Sequence, residues 1–289
     1  MTARIGVTGA TGVVGGGVGG GVARGLAGAG IDTRLIVRSA ARAPELPGAE
    51  VAVAAYGDRA DSEAALAGIQ TLFMVSAAEH PDRRAQHLDF VDAAADSGVQ
   101  RIVYTSFFGA SPESVFLLGR DHWHTEERIR ASGMHFTFLR DNIYADFLPL
   151  FGGEDAVLRG PAGDGRLAAV ARADVIDVAV AVLEAAAVDD PGSGVHDDVV
   201  YDLTGPQSLT LGEYAEILTR VTGRPFSYQN ETIEEAYASR AAFTAPDWMV
   251  DAWVSTYTAI AAGELDGVTG DVEKVSGHPP LSLEELLSA

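Results

Sequence analysis

The sequence contains no cysteine and a single lysine, Lys274, among its 289 residues. The absence of cysteine excludes disulfide bridges, thiolate metal sites and cysteine nucleophiles together. The seven histidines are scattered and show no spacing typical of a metal site, so no metal is predicted. Arginine must therefore supply nearly all of the positive charge.

Positive charge is also scarce overall. Lysine and arginine number 20 against 41 acidic residues, so the formal net charge is −21 at pH 7. A protein that neutralises phosphate backbones needs the opposite sign, so nucleic acid is an unfavourable partner. The sequence has no uninterrupted apolar run of about 18 residues, the length that a membrane helix needs. Its N-terminus does not resemble a signal peptide. We therefore expect a cytoplasmic monomer or homodimer that acts on a small molecule and contacts no membrane.

Short apolar β-branched runs alternate with helical stretches over the first two thirds of the chain, which is typical of βαβ units. The predicted strands cover residues 4–7, 33–38, 50–54, 71–75, 101–106, 135–139 and 199–203. The pattern predicts an α/β fold, a Rossmann doubly wound parallel sheet, over residues 1–204. Residues 205–289 are predicted to form a smaller, partly helical region that caps the substrate. The glycine- and proline-bearing residues 150–166 are predicted to be a mobile loop.

Two helix starts carry capping residues. Asp174 is predicted to cap a helix that follows residues 167–170, since its carboxylate can accept backbone N–H groups. Thr210 and Glu213 form the pattern of a capping box, and Gly223 is predicted to end the helix that this box begins.

The strongest motif is a glycine-rich turn that follows the first strand and opens a helix, the context of a dinucleotide fingerprint. Gly9 permits the tight turn, Gly12 lets backbone approach a pyrophosphate, and Gly15 permits close helix–strand packing. Free N–H groups at the helix N-terminus then face the phosphates. The predicted cofactor contacts in this turn are Gly9, Thr11, Gly12, Val13, Val14 and Gly15.

The helix after this turn contains an unusual number of glycines, six of them between Gly15 and Gly21. Each interior glycine destabilises a helix by about 1 kcal/mol relative to alanine. Phosphate approach explains the first few. We expect the helix to be soft or held by packing alone.

The end of the second strand indicates which cofactor is bound. An NAD site places an acidic residue there to bind the ribose 2′-hydroxyl. This chain has Arg38 and Ser39 instead, with Arg42 close behind. A guanidinium suits a 2′-phosphate by charge and by its geometry, so the sequence predicts NADP(H).

Several short motifs, in this order and spacing, resemble the NmrA-like group of atypical short-chain dehydrogenases/reductases. They are TGATG at 8–12, YTSFFG at 104–109, HWHTE at 122–126, FLRDN at 138–142, YDLTG at 201–205, GVTGDVE at 267–273 and GHPP at 277–280. The family includes NADPH-dependent quinone reductases, isoflavone-reductase-like enzymes and catalytically silent NADP sensors. The resemblance implies cofactor contacts after the fourth and fifth strands, at Ser76, Ala77, Ser106 and Phe107.

Two positions depart from the family pattern. Relatives often place an aspartate before an aromatic residue to meet the adenine, and this chain has Ala55 before Tyr56. Typical members also carry Tyr-x-x-x-Lys with a glutamate four residues after the lysine. Counting back from Glu126 places His122 at the lysine position and a leucine at the tyrosine position, so that proton relay is absent.

Two side chains are candidates to donate the proton instead. His122 and Glu126 lie four residues apart on one helix face, so the carboxylate is expected to orient the imidazole and raise its pKa. The alternative is a capping or packing histidine. Tyr144 is the second candidate, or it lines the pocket. Phe108, Asn142, Trp248 and Tyr257 are expected to contact the substrate, although cap aromatics at helical spacing more often belong to the core.

The sequence thus predicts an NADPH-dependent oxidoreductase that delivers hydride to a conjugated carbonyl such as a quinone or enone. A non-catalytic NADP(H) sensor is the first alternative, because the Tyr and Lys are missing. The second is a reductase or isomerase of a biosynthetic intermediate.

Overall fold

The chain forms two interleaved compact units in a computed structural model that describes residues 4–11 and 15–288. The first unit comprises Met1–Ser106, Asp121–Arg140 and Val175–Tyr201. The second comprises Phe107–Arg120, Asp141–Asp174 and Asp202–Ala289. Within the described ranges, no helix is both long enough and apolar enough to cross a membrane.

The helices and strands are, in chain order, β1 (Ile5–Thr8), α1 (Gly15–Gly28), β2 (Thr33–Val37), β3 (Ala49–Val53), α2 (Arg59–Leu66), β4 (Thr71–Met74), α3 (Arg83–Asp96), β5 (Arg101–Phe107), α4 (Leu117–Ser132), β6 (His135–Asp141), α5 (Leu148–Phe151), β7 (Val157–Gly160), β8 (Arg166–Leu167), α6 (Arg172–Val188), β9 (Val199–Leu203), β10 (Leu209–Thr210), α7 (Leu211–Thr222), β11 (Ser227–Asn230), α8 (Ile233–Arg240), α9 (Asp247–Ala261), α10 (Asp271–Ser276) and α11 (Leu283–Ser288).

The first unit is built on a seven-stranded sheet with the order β3-β2-β1-β4-β5-β6-β9. The pairings β1–β2, β2–β3, β1–β4 and β4–β5 are all parallel. The chain reverses its winding direction between β1 and β4, which is the switch point where such sheets bind ligands at the carboxyl ends of their strands. The predicted Rossmann sheet is confirmed.

One face of this sheet is covered by an apolar cluster that includes Leu66, Phe90, Ile129 and Phe138, all buried. These side chains come from α2, α3, α4 and β6, so three helices and the sheet share the cluster. Removing each such side chain from water contributes about 1.5–3 kcal/mol. This cluster holds α2, α3 and α4 against the sheet.

The second unit has its own apolar cluster, which includes Leu158, Leu211, Tyr214 and Ile260. Two small sheets belong to it, β7 with β11 and β8 with β10. Residues 205–289, predicted as a smaller capping region, all belong to this unit together with segments that precede them in the chain.

Some local predictions are confirmed and others are corrected. The capping box of Thr210 and Glu213 begins α7, and Gly223 ends it with a φ of 72°. Asp174 was predicted to precede α6 as its cap, but it lies inside the first turn of this helix. Its carboxylate accepts a hydrogen bond from the Leu281 backbone N–H at 2.9 Å and so binds a segment distant in the chain. Residues 150–166, predicted as a mobile loop, contain β7, which pairs with β11. Glycine and proline around that short strand had hidden it.

The glycines of α1 lie where neighbouring groups leave no room for a side chain. A Cβ at Gly19 would lie 2.5 Å from the carbonyl oxygen of Thr8, at the end of β1. A Cβ at Gly21 would lie 2.3 Å from Cδ1 of Ile176, and one at Gly25 would lie 2.6 Å from Cγ2 of Val180. Gly21 and Gly25 thus form a smooth stripe, four residues apart, against matching residues of α6. Of the two expectations for this helix, soft or held by packing alone, these close approaches support the second.

We expect Gly25→Ala to destabilise the protein and Gly28→Ala to stabilise it. Both changes improve helix propensity by up to about 1 kcal/mol. At Gly25 the new methyl meets the stiff Val180 side chain, and overpacking costs about 1–3 kcal/mol. Gly28 has nothing within 4 Å, so its gain is retained. Urea unfolding of the two variants measures both effects, and equal free energies of unfolding would contradict the packing explanation.

Candidate functional site

The turn after β1 has the backbone geometry that a dinucleotide fingerprint requires. Gly9 has a φ of 73°, and a Cβ there would lie 2.8 Å from the Val75 side chain. Any other residue would therefore be both strained and crowded. The predicted contacts Gly12, Val13 and Val14 lie outside the described residues. Gly15 is the first residue of α1.

The predicted selector of the 2′-phosphate lies at the carboxyl end of β2. Arg38 follows the last residue of this strand directly, and its side chain is exposed. Ser39 precedes a short 3₁₀ helix, Ala40–Arg42. Arg42 Nη2 donates to the carbonyl oxygen of Thr11 at 2.9 Å and so joins this segment to the glycine turn. The turn and the exposed guanidinium belong to one connected surface of the first unit.

Tyr56, predicted with Ala55 to meet the adenine, also holds the ends of two strands together. Its hydroxyl donates to the carbonyl oxygen of Val75 at 2.6 Å and lies 2.6 Å from Thr8 Oγ1. One face of its ring stacks on Phe90, with centroids 4.2 Å apart. The adenine contact stays a prediction.

The loop after β4, where Ser76 and Ala77 are predicted to contact the cofactor, is held by buried side chains. The Ser76 N–H donates to Thr105 Oγ1 at 2.8 Å. The Ala77 N–H donates to His87 Nε2 at 2.8 Å, and its carbonyl oxygen accepts from Arg83 Nε at 2.9 Å. Both polar groups of the Ala77 backbone are thus fixed by α3.

Arg83 and its neighbours form a buried polar network in the first unit. The Arg83 side chain is 3% exposed, and its nearest carboxylate, Asp121, lies 3.4 Å away. Arg83 Nη2 donates to His122 Nε2 at 3.0 Å, because a guanidinium has no acceptor. The proton of neutral His122 is therefore on Nδ1, 3.0 Å from the Tyr104 hydroxyl oxygen.

The same reasoning assigns the tautomer of His87. Its Nε2 accepts from the Ala77 backbone, so Nδ1 carries the proton and donates to Thr125 Oγ1 at 3.0 Å. Burial lowers the pKa of both His87 and His122 well below the usual range, and the Arg83 charge lowers both further. The network exists only while both imidazoles are neutral, since a proton on either Nε2 would face a donor.

The expected pairing of Glu126 with His122 is wrong. The Glu126 carboxylate accepts from Ser106 Oγ at 2.6 Å and forms ion pairs with Arg130 and Arg140. Two guanidiniums satisfy this buried carboxylate, so it does not orient the imidazole. The pKa of His122 is lowered rather than raised, because burial and Arg83 dominate. Ser106, a predicted cofactor contact, is buried and donates its hydroxyl proton to Glu126.

The second unit contains the other predicted site residues. Phe107 is half-buried and packs on Phe116, with ring centroids 4.7 Å apart. The N–H of Phe108 donates to the carbonyl oxygen of Asp141 at 3.1 Å, so the segment after β5 is held to the end of β6. Asn142 is 1% exposed. Its Nδ2 donates to the carbonyl oxygen of Leu265, and its Oδ1 accepts the Ile143 N–H.

Asp141 and Tyr144 lie at the end of β6. Asp141 is 5% exposed, and its Oδ1 has no hydrogen-bond partner among the described residues. Burial raises the pKa of Asp141 to about 7, whereas Tyr144 lowers it. Burial also raises the pKa of Tyr144 well above its usual value.

The two cap aromatics do not share a face. Trp248 and Tyr257 are nine residues apart on α9, which places them on opposite sides of a helix with 3.6 residues per turn. The guanidinium of Arg240 lies 5.0 Å from the centre of the Tyr257 ring. One ligand would therefore contact at most one of these two predicted residues.

Three residues of these clusters were missed in the sequence. Arg83 and His87 lie at i and i+4 near the start of α3, a signal that could have suggested a shared partner. Asp141 was visible within the motif FLRDN but had no sequence feature that revealed its burial.

The neutral histidines predict that acid destabilises the protein. Below about pH 6.5 an unfolded histidine takes up a proton that the folded one refuses, so stability falls by up to about 1.4 kcal/mol per pH unit for each. Asp141 has the opposite effect on stability. Its pKa is raised to about 7 in the folded protein, so between about pH 4 and 7 the folded state holds a proton that the unfolded carboxyl has released, and acid stabilises the fold through this group. His122→Gln should therefore show a shallower loss of stability than the parent protein between pH 6.5 and 5.

Urea unfolding across this range measures the slope, and His80→Gln, which removes an exposed imidazole of the same unit, controls for the loss of a histidine as such. Identical slopes for His122→Gln and the parent protein would show that His122 is not held neutral.

Comparisons with known proteins agree with this architecture. The model of the NmrA-like family matches residues 1–260. Quinone oxidoreductase 2 of Escherichia coli is 33% identical over 258 residues, covering 88% of this chain and 87% of that protein. The NAD(P)H azoreductase of Xenophilus azovorans is 30% identical, covering 98% and 96%. The crystal structure of an E. coli NADPH-dependent quinone oxidoreductase with NADPH aligns with a TM-score of 0.82 at 30% identity, covering 98% of each chain. The chain belongs to the NmrA-like family.

Proposed function

We propose that this protein is an NADPH-dependent reductase that transfers a hydride to a conjugated carbonyl acceptor such as a quinone or an enone. The observation that carries the proposal is the exposed Arg38 guanidinium at the end of β2, on the surface that holds the Gly9 turn. Relatives at 30% identity or more, over nearly their whole length, are reductases that use NAD(P)H or reduce quinones.

The residues present suit NADP(H). Gly9 lets the backbone turn without a side chain between it and a pyrophosphate, and the N-terminus of α1 offers N–H groups to an anion. Arg38 matches a 2′-phosphate, where an acidic residue would repel it. When bound, the cofactor supplies the hydride. The protein must therefore orient it, exclude competing reactions and provide a proton.

The acceptor is a small molecule of flat, conjugated type. A quinone and an azo compound, which name two of the relatives, share this shape and accept a hydride into a conjugated system. An acceptor of this kind becomes an anion after hydride transfer, and it needs one proton. The buried neutral state of His122 does not favour it as an acid near pH 7, which leaves Tyr144 as the candidate donor.

We also propose that the protein is cytoplasmic and works as a monomer or homodimer without nucleic acid. The net charge of −21 supports the last point, since it repels a phosphate backbone. Size-exclusion chromatography with light scattering would determine the oligomeric state.

The function is tested by following NADPH absorbance with a series of quinones, enones and azo dyes. We expect acceptor-dependent oxidation of NADPH, with NADH used less efficiently. Tight binding of NADPH without any consumption across the series would contradict the proposal and favour the sensor alternative.

Cofactor selection predicts the behaviour of Arg38→Ala. Loss of one charge-assisted contact should weaken NADPH binding by about 1.5–3 kcal/mol, roughly 10- to 150-fold, and leave NADH binding nearly unchanged. Calorimetric titration of both nucleotides measures this difference. Arg4→Ala, which removes the same charge before the amino end of β1, is the matched control. Equal losses for both nucleotides would show that Arg38 does not contact the 2′-phosphate.

A further inference from the structure

Side chains, rather than other backbone groups, hold the backbone of residues 75–77, the three residues that follow β4. The Val75 N–H donates to Thr8 Oγ1 at 2.8 Å. The Val75 carbonyl oxygen accepts a hydrogen bond from the Tyr56 hydroxyl at 2.6 Å. Both polar groups of the Val75 backbone are therefore bound before the chain reaches the next residue.

The next two residues are held in the same way. The Ser76 N–H donates to Thr105 Oγ1 at 2.8 Å, and the Ala77 N–H donates to His87 Nε2 at 2.8 Å. The Ala77 carbonyl oxygen accepts from Arg83 Nε at 2.9 Å. Thr105, His87 and Arg83 are at most 3% exposed. Of the six backbone polar groups of residues 75–77, five are thus bound by side chains.

The sixth group is the Ser76 carbonyl oxygen, which receives no hydrogen bond from the described residues. Its direction follows from the peptide that joins Ser76 to Ala77. No peptide bond of the described chain is cis, and the C=O and N–H of a trans peptide point in opposite directions. Because the Ala77 N–H points at His87 of α3, the Ser76 C=O points away from that side chain. Ser76 and Ala77 are both half-buried, so this segment borders the solvent.

This carbonyl lies close to the glycine-rich turn. A Cβ at Gly9 would lie 2.8 Å from the Cβ of Val75, the residue that precedes Ser76. Gly9 follows β1 and residues 75–77 follow β4, and these are the two strands between which the sheet reverses its winding direction. Dinucleotides bind across the carboxyl ends of the strands at such a point. A backbone oxygen without a partner at this place is a candidate ligand for the cofactor.

The strand order indicates which half of the cofactor this oxygen would meet. Arg38 follows β2 and is proposed to bind the 2′-phosphate of the adenosine half. β2 and β4 lie on opposite sides of β1. A dinucleotide whose pyrophosphate lies at the Gly9 turn therefore extends its nicotinamide half toward β4. That half carries ribose hydroxyls and a carboxamide N–H₂ group, and a carbonyl oxygen accepts hydrogen bonds from either.

We propose that His87 and Thr105 are positioning residues for the nicotinamide half of NADP(H). They accept the N–H groups of Ala77 and Ser76, and so turn the Ser76 carbonyl oxygen toward the hydrogen-bond donors of that half. Neither side chain touches the cofactor, because both act through the backbone. The inference rests on the proposed reductase function, since it assumes the same cofactor.

A purely structural role of the two side chains would give a different result from a positioning role. Adenosine 2′,5′-bisphosphate carries the adenosine and the 2′-phosphate of NADPH but has no nicotinamide. Loss of positioning should weaken the binding of NADPH and leave the binding of the bisphosphate unchanged. A general loosening of the first unit would affect both nucleotides.

The test uses two variants that each remove one acceptor. Thr105→Val has a similar shape and leaves the Ser76 N–H without its acceptor, and His87→Leu does the same for the Ala77 N–H. We expect each variant to bind NADPH about 3- to 10-fold more weakly, the scale of one hydrogen bond, and to bind the bisphosphate as the parent protein does. Calorimetric titration with both nucleotides measures this difference.

Conservative variants serve as matched controls. Thr105→Ser and His87→Gln each keep an oxygen that can accept the backbone N–H, so they should bind NADPH as the parent protein does. Arg38→Ala is the converse control. It should weaken the binding of both nucleotides, because both carry the 2′-phosphate.

Urea unfolding shows whether each variant is folded under the conditions of the titration. If His87→Leu does not fold, the comparison of Thr105→Val with Thr105→Ser decides. Parent affinity for NADPH in Thr105→Val, or equal losses for NADPH and the bisphosphate, would overturn the positioning role and leave the reductase function standing. A parent protein that binds neither nucleotide would refute the proposed function, and this inference with it.

Discussion

The close approach of α1 to the sheet is the constraint on which the glycine-rich turn after β1 depends. A side chain at Gly19 would collide with backbone at the end of β1, and side chains at Gly21 and Gly25 would collide with α6. With larger residues the helix would move outward, and its N-terminus would leave the turn at Gly9. These glycines lower the helix propensity of α1. In return, the positive end of the helix dipole and the free N–H groups of its N-terminus stay close to the carboxyl ends of the strands.

The buried polar network around Arg83 likewise holds the loop after β4 in place. Arg83 and His87 hold both backbone groups of Ala77, and His122 satisfies the remaining guanidinium nitrogen. A cation so far from water is tolerated because every group around it presents an oxygen or an unprotonated nitrogen. His122 therefore stabilises the loop after β4 through Arg83.

The sequence predicted the sheet, the glycine turn and the arginine after β2, because each depends on local spacing and composition. It predicted α1 to be soft or held by packing alone, and it could not identify the partners of Gly21 and Gly25, which lie about 155 residues away in the chain, in α6. It could not predict that Glu126 would pair with two arginines rather than with His122. Helical spacing reports which side chains can meet, whereas tertiary neighbours decide which do. The burial of Asp141 was hidden for the same reason.

The exposure of Arg38 has a kinetic consequence in a protein of net charge −21. A polyanionic nucleotide approaches against a repulsive field that extends over many ångströms, while the contact proposed with the Arg38 guanidinium acts over a few. Salt screens distant charges first, since the Debye length is about 10 Å at 0.1 M. Moderate ionic strength should therefore speed the encounter with the cofactor and change its residence time little.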